Sequence, residues 1–337
     1  MLKIEKRRTP NPLSVTLVTV SAIFLSLLLS VIILQLSGYD ALNIIMKSFR
    51  ETYFTKSGNM SLLVYVPAIS LCALAVVVAA KAGLWNVGVE GQFLVGALVA
   101  TGIGFSFPGL PWYILLPFIF TASAIVSGLF CYISVLPRIY FGINEILTTV
   151  LLNSVVGYFV GYLSNLAWRD VTSSSPQTIE ILQNAIIPRI PGAGRLHWGF
   201  FVAILLVLLI WFLLRRSVFG YETRAVGEST PGARYSGINI KKIFFIAMFV
   251  SGCLAGIAGM LEVTGVSHRL QPRLASDYGL SGFVIAWISR LNPIVILIVS
   301  YLFAGFTVVG FKLQMAGFQS SIVYIIKGLI LFFILAG

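Results

Sequence analysis

Long apolar runs, broken by short polar or basic stretches, recur from residue 13 to residue 336. About 20 such residues in a helix cross the hydrocarbon of a bilayer. A soluble fold of this size has too little interior to hide all of these runs. The composition agrees: of 337 residues 58% are hydrophobic and 10% are charged, where a soluble domain carries about 25% charged residues. A soluble enzyme, a disordered chain and a disulfide-stapled secreted domain are therefore excluded. The apolar content suffices for roughly ten helices, and the fold class expected is an all-α, polytopic membrane protein with one transmembrane domain over 1–337.

The runs are Leu13–Leu36, Ser61–Ala80, Phe93–Phe107, Trp112–Leu136, Ile146–Trp168, Phe200–Leu214, Ile243–Val266, Leu280–Ile288, Pro293–Val309 and Ile322–Ala336. The first is longer than a signal-peptide core and no small-x-small cleavage site follows it, so it reads as an uncleaved span. Leu280–Ile288 is too short to cross as a regular isolated helix; counting it gives ten crossings. The most basic stretches are residues 1–12, with Lys3, Lys6, Arg7 and Arg8, and the loop 215–242, with Arg215, Arg216, Arg224, Arg234, Lys241 and Lys242. Lys and Arg collect on the cytoplasmic side, which places both stretches and both termini inside. Residues 37–60, with room for a surface helix, and the polar segment 169–196 then lie outside. The net charge of +12 is a topology signal rather than a nucleic-acid signal. Cys72, Cys131 and Cys253 sit inside apolar runs without metal-ligand spacing and read as small core residues.

Two stretches do not fit plain spans. KAGLWNVGVEGQ (81–92) places three glycines, Asn86, Glu90 and Gln92 between two apolar runs. It is either an interfacial turn with Glu90 near the headgroups, or a broken segment lining a path, since unwound backbone at depth needs protein or water around it. FGINEILTTVLLN (141–153) carries Asn144, Glu145, Thr148, Thr149 and Asn153. Glu145, Thr149 and Asn153 fall at i, i+4 and i+8, hence on one helix face. That face either bonds to neighbouring helices or lines a path for a neutral polyhydroxylated solute. The translocation-path residues expected are Asn86, Glu90, Gln92, Asn144, Glu145, Thr149 and Asn153. Lone charges stand at Glu262, near an outer helix end, and at Lys327, inside the last run. Gly252, Gly256 and Gly259 form a small-residue packing face, repeated more weakly by Gly157 and Gly161.

His197 and His268 fall in outer segments. No HExxH, cysteine pair, GxSxG or GxxxxGK[ST] occurs, so no catalytic residue, metal site or bound cofactor is expected on this chain. In the loop 220–242, Thr230 is expected to cap a short helix over 231–236, with Pro231 at its first position and Gly237 as its stop. The loop is either an ordinary positive-inside connection or a docking knob for a cytoplasmic motor.

GLWNVGVEGQFLVGA, GINEILTTVLLN, TRAVGESTPGARYSGI, SGCLAGIAGMLEV and YGLSGFVIAWISRLNPI occur in this order. Together they resemble the permease subunits of bacterial ABC importers for simple sugars and nucleosides, which are related to the branched-chain amino acid permeases. The likeness covers about residues 60–310, and NVGVEGQ resembles the nucleoside branch. The resemblance implies a ten-helix permease paired with itself or with a second permease. It also implies two cytoplasmic ATPase subunits that bind ATP and Mg, and an extracytoplasmic solute-binding protein, all at the cell membrane. Residues 224–238 would be the coupling loop on the ATPase, with Arg224, Gly227, Glu228, Thr230, Pro231, Arg234 and Gly237 matching. Ser229-Thr230 departs from the family's Asn-Pro-like pair, and Lys327 stands where a neutral residue is expected. The alternatives to a nucleoside importer are a simple-sugar permease and a secondary transporter with a proton site at Glu90 or Glu145.

Overall fold

The computed structural model describes residues 41–319 apart from 275–276, with isolated positions between 21 and 35 and between 325 and 329. The basic start 1–12, the expected first span, Lys327 and the last apolar run lie outside the described residues. In chain order the helices are α1 Ala41–Tyr53, α2 Lys56–Leu63, α3 Val66–Lys81, α4 Val89–Ser106, α5 Trp112–Phe141, α6 Glu145–Asn165, α7 Gly199–Arg216, α8 Val218–Glu228, α9 Thr230–Tyr235, α10 Ile240–Glu262, α11 Tyr278–Ile288 and α12 Pro293–Met315. Among the described residues the β-structure is limited to two isolated bridges.

By length and composition α4, α5, α6, α7, α12 and α10 with its continuation to Ser267 are able to cross a membrane. Helices α2 and α3, bent by 41° at their break, make a seventh crossing if taken as one span. Eleven residues of α11 extend about 16 Å, well short of the ~30 Å hydrocarbon core. The described residues thus account for six or seven crossings rather than ten.

Several boundaries shift for local reasons. The run Trp112–Leu136 continues as helix through Pro137 to Phe141 and stops at Gly142, whose φ of 70° suits a left-handed cap. Residues 41–53 and 56–60, expected as an outer loop, are helical. The basic loop 215–242 is mostly helical as well. Ser217 caps α8 by accepting the Gly220 N–H at 3.1 Å, and a Cβ at Gly220 would come within 2.3 Å of the Leu214 carbonyl oxygen.

The chain divides into two compact units, 1–59 with 305–337, and Met60–Ala304. In the first, Lys312 pairs with Glu51 at 3.2 Å, and the Tyr53 phenol lies on Gly305, where a Cβ would clash. The second unit is built round α10. Its small-residue face admits its neighbours at backbone distance: a Cβ at Gly252 would lie 2.5 Å from Cys131 Cβ, one at Gly256 2.4 Å from Ser127 Cβ, and one at Gly259 1.9 Å from the Phe93 carbonyl oxygen. Close approach of this kind supplies the dispersion contact that holds helices together in lipid, where no hydrophobic force separates them from the solvent. Among the described residues, Gly157 and Gly161 have no such neighbour within 4 Å.

Segment 169–198 folds over the C-terminal end of α10. Thr178 and Ile181 donate their N–H groups to the carbonyls of Leu270 (3.0 Å) and His268 (3.0 Å), and Ile187 donates to Thr264 (2.9 Å). Arg269 pairs with Asp170 at 2.5 Å and Glu180 at 3.4 Å. Beneath this segment α10 passes into a π-helical turn, Val263–Ser267. The His197 ring fills the space over Gly265 and is fully buried. Burial, reinforced by nearby His268, pushes its pKa down to about 4.

Candidate functional site

The break and the polar stripe are each other's partners. Helix α3 ends at Lys81, Gly83 turns with φ of 76°, and regular helix resumes at Val89. The non-helical peptide groups between are held by α6. Glu145 accepts the Trp85 N–H at 3.0 Å. Thr149 packs on Gly88, where a Cβ would come within 2.9 Å of Thr149 Cβ. Asn153 accepts the Gly91 N–H at 2.8 Å and donates to the Val87 carbonyl at 3.0 Å. Val87 and Gly91 are an i, i+4 pair, which in unbroken helix bond to each other. The Asn153 amide is inserted into that rung and satisfies both groups.

The expectation that residues 145, 149 and 153 share a face therefore holds, and the face meets unwound backbone. Thr149 also donates to the carbonyl of Glu145 (2.7 Å), and Thr148 to that of Ser134 on α5 (2.7 Å). Asn144 is exposed and caps α6, accepting the Ile146 N–H at 2.9 Å. Glu145 is buried, and its second oxygen lies 3.5 Å from Arg138 Nε. Its place in the first turn of α6 sets it against the positive end of the helix dipole.

Asn86 and Gln92 are closed off from any aqueous space, each being 1% exposed. Their amides bond reciprocally, at 2.8 and 2.9 Å. The Asn86 amide also donates to Ser251 Oγ (2.8 Å), and Ser251 donates to the Ala75 carbonyl (2.6 Å). Ser127 donates to the Gln92 carbonyl at 2.9 Å. Ser251 is midway along α10, so the break dips deep among the helices. Of the path residues named from sequence, Glu90 is half-exposed in the first turn of α4 and lies over Gly279 of α11. Ser127, Ser251 and Arg138 were not singled out from sequence. A serine beside a glycine, as at Ser127-Gly128 and Ser251-Gly252, is the signal that points to the two serines.

At the other end of the break, Gly83 touches the loop read as a docking knob. A Cβ at Gly227, in α8, would lie 2.3 Å from the Lys81 carbonyl oxygen and 3.1 Å from the Gly83 nitrogen. Arg224 donates to the Leu214 carbonyl, tying α8 to the end of α7. The short helix α9 spans Thr230–Tyr235, one residue earlier than expected. Its cap is Ser229, which accepts the Gly232 N–H at 3.2 Å, and Thr230 is instead the first helical residue. Adjacent hydroxyl residues offer the same cap chemistry, and the extended backbone at Ser229 decides between them. Pro231 falls in the first turn, Gly237 (φ 79°) follows the end, and Glu228, Arg234 and Tyr235 are exposed.

The family model described as "Branched-chain amino acid transport system / permease component" matches residues 59–335. A guanosine ABC transporter permease protein of Bacillus subtilis is 28% identical over 330 residues, 96% of this chain and 93% of its own length. A glucose ABC transporter permease protein of Haloferax volcanii is 28% identical over 298 residues, covering 85% and 78%. A nucleoside ABC transporter permease protein of Lactococcus lactis is 26% identical over 331 residues, covering 94% and 90%.

Proposed function

The chain belongs to the branched-chain amino acid transport system permease family, and from this we propose that it is the transmembrane subunit of an ATP-driven importer of nucleosides. The observation that carries the reading is the contact, through Gly83 and Gly227, of a deep, glycine-rich break with the helix that leads into exposed α9. The substrate class follows the guanosine and nucleoside permeases to which most of the chain is similar. Ten crossings are proposed by adding α11 and the apolar runs 13–36 and 322–336 to the helices above, with both termini cytoplasmic.

Two ATPase subunits, holding ATP and Mg, seat on α9 and its flanks, from Arg224 to Gly237. A second permease, the same chain or a related one, faces this one, and an extracytoplasmic binding protein delivers solute to segment 169–198. Closure of the ATPases displaces α9. Through α8 and Gly227 the displacement reaches residues 81–85, and through Trp85 and Glu145 it reaches α6. Access to the path then alternates between the two sides of the membrane. Glu90 faces the path. Asn86, Gln92, Glu145, Thr149 and Asn153 hold the break in shape beside it, and Asn144 caps the helix that carries the last three.

The test is reconstitution in proteoliposomes with the ATPase pair and the binding protein. ATP-dependent uptake of labelled guanosine is expected, and uptake that persists without the ATPases would sink the proposal. The similarity to a glucose permease favours a second reading, a sugar importer, which competition of guanosine uptake by glucose or pentoses would reveal.

A further inference from the structure

Three aromatic side chains beside the break take no part in holding it. Trp85 lies 5.3 Å from Trp287 and 5.9 Å from Phe283, measured between ring centroids, and these two are 6.3 Å apart. Trp85 is 45% exposed, Trp287 39%, and Phe283 is half-buried. The two indoles are tilted by 33° rather than stacked in parallel.

The rings continue a strip that begins at a carboxylate. Gly279, Phe283 and Trp287 follow at i, i+4 and i+8 on one face of α11. Gly279 lies directly on Glu90, with a Cβ there falling 2.8 Å from Glu90 Cβ. Asp277 is the residue before α11 and is half-buried. From residue 279 to 287 the strip is about 12 Å long. Glu90, in the first turn of an apolar helix long enough to span, marks that end of the strip as facing the bundle interior or water, where ionisable groups at membrane depth are found. Glu90 stands at one end of the strip and the two open indoles at the other.

We infer that this strip is the permease's own recognition surface for the solute, with a nucleobase stacked on Trp287 and Trp85 and the ribose hydroxyls donating to Glu90. The inference rests on the nucleoside reading above. Every base has a π-face, so stacking on indole recognises the class without selecting one base. A free sugar gains only the carboxylate end. The surface would therefore favour nucleosides over pentoses while leaving finer selection to the binding protein.

The test uses the reconstituted complex with its ATPases and binding protein, and two substitutions at each indole. Trp287→Phe keeps a ring; Trp287→Leu keeps apolar bulk without one. The Phe variant is expected to hold guanosine uptake, at subsaturating solute, within about twofold. The Leu variant is expected to lower it about tenfold, the size of one lost base–aromatic stack. Trp85→Phe and Trp85→Leu repeat the comparison should either Trp287 variant fail to fold. Guanosine should also quench the permease's tryptophan fluorescence, less so in the Leu variants. Equal uptake by Leu and Phe variants of a guanosine-transporting complex overturns this inference alone. A wild-type complex that moves glucose but no nucleoside overturns the nucleoside reading and the inference with it.

Discussion

Asn153 and Gly91 offer the sharpest test of the break. Asn153→Ala removes the two hydrogen bonds that the amide makes to Gly91 N–H and the Val87 carbonyl. Side-chain hydrogen bonds between membrane helices average about 0.6 kcal/mol, with a maximum near 1.7, so the pair contributes roughly 1–3 kcal/mol. Gly91→Ala places a Cβ 2.6 Å from Asn153 Oδ1 and 3.0 Å from Asn153 Cα. Overpacking of that kind costs about 1–3 kcal/mol, offset by about 1 kcal/mol of helix propensity. The closer contact disappears in the Asn153→Ala background, while the propensity gain is the same in both. The double variant should therefore be roughly 1–2 kcal/mol more stable than the sum of the single losses. Reversible unfolding in mixed micelles of mild detergent and dodecyl sulfate measures all four corners of the cycle. Additivity within about 0.5 kcal/mol would refute the inserted amide. So would a neutral Asn153→Ala, since it would mean that Val87 and Gly91 bond directly.

Glu145→Gln keeps an acceptor for the Trp85 N–H and should retain most uptake and stability. Glu145→Ala leaves that N–H unpaired at a cost of about 1–3 kcal/mol; loss of uptake in the Gln variant would point instead to a proton-carrying acid. Because His197 is held neutral down to about pH 4, while the unfolded residue takes up its proton near 6.5, stability associated with it falls as pH drops from about 6.5 to 4. Hydrogen exchange of 169–198 across that range should show progressive loosening, and His197→Phe should flatten the profile. Single cysteines at Ser174 and Tyr235 should label with an impermeant maleimide from outside only and after permeabilisation only, respectively. The same sidedness for both would overturn the proposed orientation.

The spacing of Glu145, Thr149 and Asn153 was readable because helical periodicity is local. What the stripe touches was not, since its partners lie about sixty residues earlier in the chain and polar bonding and path lining leave the same pattern. Asn86 and Gln92 illustrate the ambiguity: amides at depth suggest a wet path, yet here they close on each other and on Ser251. Gly252, Gly256 and Gly259 announced a packing face correctly, whereas Gly157 and Gly161, with similar spacing, have nothing against them among the described residues. Glycines misled in α8, where Gly220 and Gly227 read as loop residues. They stand in a helix because carbonyls of α7 and of the α3 end pass too near for any Cβ.

The contact between Gly83 and Gly227 sets a rule for exchanging parts between related permeases. Two bare backbones meet there, with a Gly227 Cβ already 2.3 Å from a carbonyl oxygen, so the joint has no side chain to yield and no slack to absorb a mismatch. A graft of segment 215–242 onto another such permease, meant to redirect it to a different ATPase, will work only if residues 81–83 travel with it. A single methyl at residue 227 would act as a shim, fixing the helix above it at a different height.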